Sequence, residues 1–176
     1  MSEEIKIRSA TVDDAEELLK IYSYYVEKTA VSFEYKIPTV ANFRGRIFRT
    51  LKKFPFLVAE RAGKISGYAY AHEFVGREAY RFSAELTIYL DKDERRHGIG
   101  RKLYEELEKI LKAAGILNLY VCVGTVDPED EFLTNASRNF HEHCGFKTVG
   151  TFQKCGYKFG RWYDMIWMEK IIGEHI

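Results

Sequence analysis

Two periodicities meet across one glycine-bearing turn between residues 84 and 114, and few folds accommodate that junction. Ala84, Leu86, Ile88 and Leu90 recur at every second position, the spacing of a strand with one covered face. Beyond the turn, Ile99, Leu103, Tyr104, Leu107, Ile110, Leu111 and Ala114 recur at helical spacing, and Gly115 stands where a C-terminal cap belongs. A strand running from about Tyr80 to Leu90 therefore passes directly into a strongly amphipathic helix. Such a helix must bury its stripe against the sheet that the strand belongs to.

The rest of the chain supplies that sheet. Ile5-Lys6-Ile7-Arg8 alternates as a first strand, and Thr11 with Asp14 forms a capping-box variant. The helix it opens carries Val12, Ala15, Leu18, Leu19, Tyr22 and Val26 on one face, and Pro38-Thr39 begins a second with Phe43, Ile47 and Leu51. Phe56 to Ala59 and Ile65 to Phe74 read as a hairpin turning at Arg61-Ala62-Gly63-Lys64. Leu117 to Val123 is almost wholly apolar, as in a strand buried on both faces. The acidic run Asp127 to Glu131 reads as a solvated loop, a helix from about Ala136 to Cys144 ends at Gly145, and two strands fill Phe146 to Lys170. The order β-α-α-β-β-β-α-β-α-β-β predicts an α/β (α+β) mixed sheet with helices on both faces. Without a repeat, linker or low-complexity tract, residues 1–176 read as one domain.

Charge narrows the function classes. Lys and Arg number 27 against 26 Asp and Glu, a net charge of +1, which argues against nucleic-acid phosphates or an acidic membrane surface as partner. No apolar stretch approaches the roughly 18 residues of a spanning helix, and the N-terminus has no apolar signal core. Cys122, Cys144 and Cys155 show neither C-x-x-C pairing nor ligand spacing, so the expectation is reduced thiols in the cytoplasm and no metal site. Aromatic residues make up 15% of the chain, enough to furnish a small-molecule pocket as well as a core.

The turn itself is locally basic: Lys92, Arg95, Arg96, Arg101 and Lys102 stand against Asp91, Asp93 and Glu94. A helix start offers unpaired N–H groups and a positive dipole end, and glycine lets a phosphate approach the backbone. The dinucleotide fingerprint fails because Leu103 occupies the third glycine's place, and the P-loop fails because Arg101-Lys102-Leu103 follows Gly100. Spacing alone leaves open whether the turn binds an anion or merely carries solvated arginines.

Arg95-Arg96-His97-Gly98-Ile99-Gly100 resembles the R/Q-x-x-G-x-G/A acetyl-CoA signature of the GCN5-related N-acetyltransferases, as does the element order over nearly the whole chain. Ser137 to Phe146 resembles the S-x-x-x-H-E-x-x-G-[FY] helix of their phosphinothricin and methionine-sulfoximine branch, and Gly156 to Asp164 its G-[YF]-K-x-G-x-W-x-D hairpin. The resemblance implies a mostly antiparallel sheet of six to seven strands with about four helices. It also implies acetyl-CoA as co-substrate, a small amino-acid-like amine as acceptor, and a homodimer. The pyrophosphate would meet Arg95, Arg96, Gly98, Gly100 and Arg101. The backbone around Ile88 and Leu90 would hold the pantetheine arm and the thioester oxygen, and Asn135 or Ser137 would touch the cofactor from the next helix. The asparagine lies one place nearer the serine than is usual in that branch.

Acetyl transfer to an ammonium requires a base, and Glu85 is the first candidate. It falls opposite the apolar face of its strand, where partial cover would raise its pKa towards neutrality; the residues alone lean slightly to an exposed strand glutamate. The resemblance gives Glu85 the base role and places His141 where the superfamily often has a tyrosine that protonates the leaving thiolate. His141 therefore reads as an acid, a second base or a packing residue; with His143 it makes poor zinc spacing. For the acceptor, Arg77 and Tyr80 resemble the branch's R-x-x-Y, and Phe33 and Trp162 match its pocket-lining positions. Two other readings are an acetyltransferase for a protein or peptide amine, and a non-catalytic CoA-binding sensor.

Overall fold

A computed structural model describes residues 4–94 and 97–175. Seven strands form one sheet: β1 (Ile5–Ser9), β2 (Phe56–Arg61), β3 (Lys64–Glu73), β4 (Ser83–Leu90), β5 (Asn118–Thr125), β6 (Lys147–Lys158) and β7 (Arg161–Ile171). Four α-helices interrupt them: α1 (Ala15–Lys28), α2 (Val40–Leu51), α3 (Ile99–Ala113) and α4 (Ala136–His143). The strand order is β1-β2-β3-β4-β5-β7-β6, antiparallel throughout except between β4 and β5. The mixed sheet with helices on both faces is the one expected.

Alternation decides which face each strand residue serves. Leu57, Ala59, Ala69, Ala71, Ala84 and Leu86 pack beneath Leu103, Tyr104, Leu107 and Leu111 of α3. The intervening Phe56, Val58 and Tyr68 pack beneath Leu18, Tyr22 and Val26 of α1 and Phe43 and Ile47 of α2. Small residues lie under α3 and aromatic ones under α1 and α2, so α3 sits close to the sheet while the opposite layer is thick with rings. Leu51, expected on the α2 stripe, is instead exposed at the last turn.

The helix starts follow local chemistry. Thr39 Oγ1 accepts from the Asn42 N–H at 3.1 Å and caps α2. Asp14 Oδ2 accepts from the Thr11 N–H at 2.7 Å, and a short 3-10 turn at Val12–Asp14 precedes α1. A second such turn at Glu78–Tyr80 delays β4 until Ser83, later than the strand pattern suggested.

Two expectations are corrected. Strand β5 is covered on one face only: Leu119, Val121 and Val123 are buried while Cys122 is exposed. The reason is that α1 and α2 cover β2 to β4 and do not extend over β5. The acidic run is not simply solvated either. Asp130 accepts from the N–H groups of Phe132 and Leu133 and from Tyr163 Oη, and pairs with Arg161 at 3.0 Å. Among the described residues no helix is long and apolar enough to cross a membrane.

Candidate active site

The parallel pair β4 and β5 stays in register only over Ser83, Ala84 and Glu85 against Asn118, Leu119 and Tyr120. Beyond Glu85 the strands part, because each has a stronger attachment elsewhere. The far half of β4 stays paired with β3 up to Leu90 and is tied to α1, where Tyr25 Oη donates to the Leu90 carbonyl at 2.6 Å. Tyr89 packs there against Tyr22 and Tyr25, each at 5.0 Å between ring centres. Strand β5 instead follows β7 along its whole length. The wedge left open is a cleft of about 210 Å³, walled by Glu85, Thr87, Ile88, Tyr104, Ser137 and His141 among others.

Glu85 stands at the vertex of the wedge with its side chain 19% exposed. Burial pushes its carboxyl above the usual carboxylate range, and the His72 imidazole, at 3.8 Å, partly opposes that shift. Cys122 lines the same cleft and opens to solvent within it, yet the protein packed around it, Glu85 and Cys155 push its thiol up to about 12. A thiol so placed stays protonated at neutral pH, so the carboxyl is the basic group at the vertex.

His141 lies on the opposite wall, 4% exposed, and burial lowers its pKa to about 4 against the opposing bond to Ser137. Its Nδ1 lies 2.7 Å from the Ser137 carbonyl, an obligate acceptor, so Nδ1 carries the hydrogen. Nε2 is therefore the acceptor of the Tyr104 hydroxyl, 2.8 Å away. Tyr104, which the helical pattern assigned to the core alone, also reaches the cleft; the apolar-stripe reading gave no sign of that second role. Among the described residues no group of three or more His, Cys, Asp or Glu side chains gathers as metal ligands.

Above the wedge, Gly98 adopts a left-handed conformation (φ 78°) that aims the chain into α3, and it supplies no side chain to cap it. The first intrahelical bond of α3 is Lys102 N–H to the Gly98 carbonyl, which leaves the N–H groups of Ile99, Gly100 and Arg101 ahead of it. A Cβ on Gly100 would stand 3.0 Å from the Phe140 ring and 3.4 Å from Ile88 Cδ1; hydrogen there lets the helix start press against β4 and α4. Arg101 turns along the helix to Glu105 at 2.8 Å. Arg95 and Arg96 lie outside the described residues. Asn135 precedes α4 with its N–H donated to Glu129, while Ser137 lines the cleft. This set fits a phosphate-bearing thioester: the N–H groups of the first turn of α3 have no partner among the described residues, and the cleft beside Ile88 runs to Glu85.

The acceptor residues are not gathered in one place. Phe33 packs on Tyr163 and against Gly156 and Gly124, beside the cleft. Arg77 and Tyr80 line a different cavity, between the β3–β4 connection and the end of α3. Trp162 is 55% exposed on the β6–β7 hairpin and packs on Tyr157. A residue that sequence reasoning passed over holds this side together. Lys158, 3% exposed, donates from Nζ to the carbonyls of Val26, Thr29 and Ser32 at 2.7, 2.8 and 2.7 Å. It fixes the end of α1 and the segment that brings Val31 and Phe33 to the cleft. Its place as the lysine of the Gly156-Tyr157-Lys158 hairpin motif was the available signal.

Residues 7–167 match the family model of the acetyltransferase (GNAT) domain. A phosphinothricin N-acetyltransferase of Alcaligenes faecalis is 34% identical over 165 residues, 93% of this chain and 81% of that protein. The structure of a GNAT superfamily phosphinothricin acetyltransferase from Sinorhizobium meliloti, in complex with acetyl-CoA, superposes with a TM-score of 0.87 at 31% identity, covering 98% of this chain and 90% of that one. A ribosomal-protein-alanine N-acetyltransferase from Brucella melitensis superposes with a TM-score of 0.86 at 34% identity, over 95% and 99% of the two chains.

Proposed function

The chain belongs to the GNAT acetyltransferase family, using acetyl-CoA as its co-substrate, and on that premise we propose that it acetylates the amine of a small amino-acid-like compound of the phosphinothricin or methionine-sulfoximine type. The observation that carries the mechanism is the half-buried carboxyl of Glu85 at the vertex of the β4–β5 wedge, held above its usual range. Glu85 takes a proton from the acceptor ammonium, and the neutral nitrogen attacks the thioester carbonyl. The N–C bond forms as the C–S bond breaks, and the second proton shed by the nitrogen ends on the departing thiolate, giving the amide and the free thiol of CoA. Backbone N–H groups near Ile88 and Leu90 hold the developing oxyanion, and the first-turn N–H groups of Ile99, Gly100 and Arg101 receive the pyrophosphate. Arg101 reaches it by leaving Glu105, and Asn135 and Ser137 contact the cofactor from α4. His141 is neutral at pH 7, so its part is to orient Tyr104 beside the departing thiol.

Arg77 and Tyr80 recognise the acceptor carboxylate, with Phe33 and Trp162 closing over its side chain. A homodimer completes this arrangement; exposed Val149, Phe152, Tyr157 and Trp162 on the β6–β7 ribbon support it. Three free thiols support a cytoplasmic setting.

A protein-terminal amine is the second reading, favoured by the likeness to the Brucella melitensis enzyme. Thiol release from acetyl-CoA separates the two, with phosphinothricin, methionine sulfoximine, a panel of free amino acids, and a peptide with N-terminal alanine as acceptors. Release with the peptide alone selects the second reading. No release with any amine, despite acetyl-CoA binding, refutes both. With a good acceptor, Glu85→Gln should lower kcat by about 10²–10⁴-fold. Because the active base is the deprotonated form and its pKa is raised, wild-type kcat/KM should climb with pH above the ordinary carboxylate range. That limb should vanish in the variant.

A further inference from the structure

The antiparallel register of β3 and β4 sets His72 directly opposite Glu85, so the two side chains share a face. His72 Nε2 lies 3.8 Å from Glu85 Oε1, inside ion-pair reach. The other ring nitrogen, Nδ1, lies 3.1 Å from the Glu73 carbonyl, which only accepts; Nδ1 therefore carries the hydrogen and Nε2 presents its lone pair to the carboxyl. Glu85 walls the reactive cleft, whereas His72 lines a second cavity of about 330 Å³ on the α1–α2 side. The imidazole is 38% exposed. The pair thus bridges the reactive cleft and the second cavity, through which the imidazole reaches solvent.

The other groups around this pair do not offer the same exchange. From β5, Cys122 is held as a thiol, and Tyr120, in register with Glu85, has its phenol raised by burial. From β3, Tyr70 packs on the His72 ring at 5.9 Å, and burial raises its phenol too. Tyr22 of α1 and Tyr89 of β4 line the second cavity, and burial raises both phenols. Across that cavity Arg46 is paired with Glu34 at 2.7 Å, and the Arg49 guanidinium of α2, a donor only, lines the same space. Imidazole is the side chain that takes up and gives off protons near neutral pH.

We propose that His72 is a positioning residue that carries the proton away from Glu85 after each acetyl transfer. This inference rests on Glu85 being the base. Once Glu85 has taken the proton from the acceptor ammonium, the two side chains close from 3.8 Å to hydrogen-bond distance, the carboxyl O–H bond breaks and a bond from hydrogen to His72 Nε2 forms. The imidazolium then releases that proton to water through its exposed edge. Carboxylate and neutral imidazole are both restored, and the carboxyl returns to the state required for the next ammonium. A cationic His72 also opposes the upward push that burial exerts on Glu85.

The test compares His72→Gln and His72→Ala with Glu85→Gln under a saturating acceptor, with varied concentrations of imidazole buffer. The His72 variants should lose about ten- to a hundredfold in kcat at pH 7. Their KM for acetyl-CoA should be unchanged, and the rising limb of their pH profile should lie at higher pH than in the wild type. Added imidazole should restore kcat in a saturable manner, and it should do nothing for Glu85→Gln. Wild-type kcat and pH profile in His72→Gln would overturn the proposal, as would a loss that imidazole does not relieve in a variant with wild-type thermal unfolding. Should both His72 variants unfold, the wild-type enzyme decides: kcat independent of buffer concentration agrees with an internal carrier, and a linear dependence refutes it. Full activity in Glu85→Gln would instead remove the base assignment on which the inference stands.

Discussion

Lys158→Met removes an ammonium while keeping a stem of similar length, and it isolates what that one charge does for the site. In the native fold Nζ donates to Val26, Thr29 and Ser32 carbonyls, all between 2.7 and 2.8 Å, in a place that water does not reach. Hydrogen bonds to a charged group contribute about 1.5–3 kcal/mol each. Against that stands the desolvation of a buried ammonium, several kcal/mol, which the methionine does not suffer. The carbonyls left behind lie in and just after the last turn of α1, where no further helical N–H arrives to pair them. The net loss is about 2–4 kcal/mol, which for a chain of this size lowers Tm by about 5–15 °C. Thermal unfolding followed by far-ultraviolet circular dichroism gives the first readout. The second is KM for the acceptor, which should rise, because the segment bearing Val31 and Phe33 loses its anchor on β6. A Tm within about 2 °C of wild type would mean the three bonds do no more than offset the burial of the charge, and the reasoning would fail.

Gly98→Ala should cost about 1–2 kcal/mol from the left-handed backbone alone, since nothing lies within 4 Å of the added Cβ. Gly98→Asn should recover part of that, and calorimetric titration should show weaker acetyl-CoA binding by the alanine variant. Asp130 has its native pKa lowered: burial opposes the shift, but the Leu133 and Phe132 N–H groups, the Tyr163 hydroxyl and Arg161 outweigh it. Its contribution to stability is therefore complete above the unfolded-state value near 3.9 and is lost as pH falls through the lower native value. Urea unfolding of Asp130→Asn should show a smaller loss between pH 5 and pH 2.5 than the wild type does.

What was legible in the sequence follows from how local each cause is. Strand β4 was readable because alternation at 84–90 records the covered face directly, and Glu85 fell on the correct side for the same reason. The starts ahead of α1 and of α2 were readable because Thr11 with Asp14, and Thr39, act on backbone within a few residues. Strand β5 was misread because an apolar run states that a residue can be buried, not that a helix reaches it. Asp130 was misread because its partners Arg161 and Tyr163 lie some 30 positions later. The four acceptor residues were drawn together by motif, but motif adjacency does not say which cavity a loop side chain enters. The surplus of rings resolves chiefly into the layer under α1 and α2, where Tyr22, Phe43, Phe56, Tyr68 and Tyr89 pack together.

That ring layer also explains why the chemistry sits where it does. Thick aromatic packing binds the far half of β4 to α1, and the phenol of Tyr25 takes the last carbonyl of that strand. Held on that side, β4 does not follow β5, which stays with β7, so the sheet opens at Glu85. The opening exposes backbone that a continuous sheet would pair, and it places one carboxyl at the vertex with helix α3 beginning at the mouth. Weakening the ring layer should therefore act on the site before it acts on the fold. A variant such as Tyr25→Phe, which frees the Leu90 carbonyl while leaving the ring, should lose acetyl-CoA affinity by more than its small loss of stability accounts for. Titration calorimetry and thermal unfolding on the same variant test that; equal binding by the variant and the wild type would separate the wedge from the layer behind it.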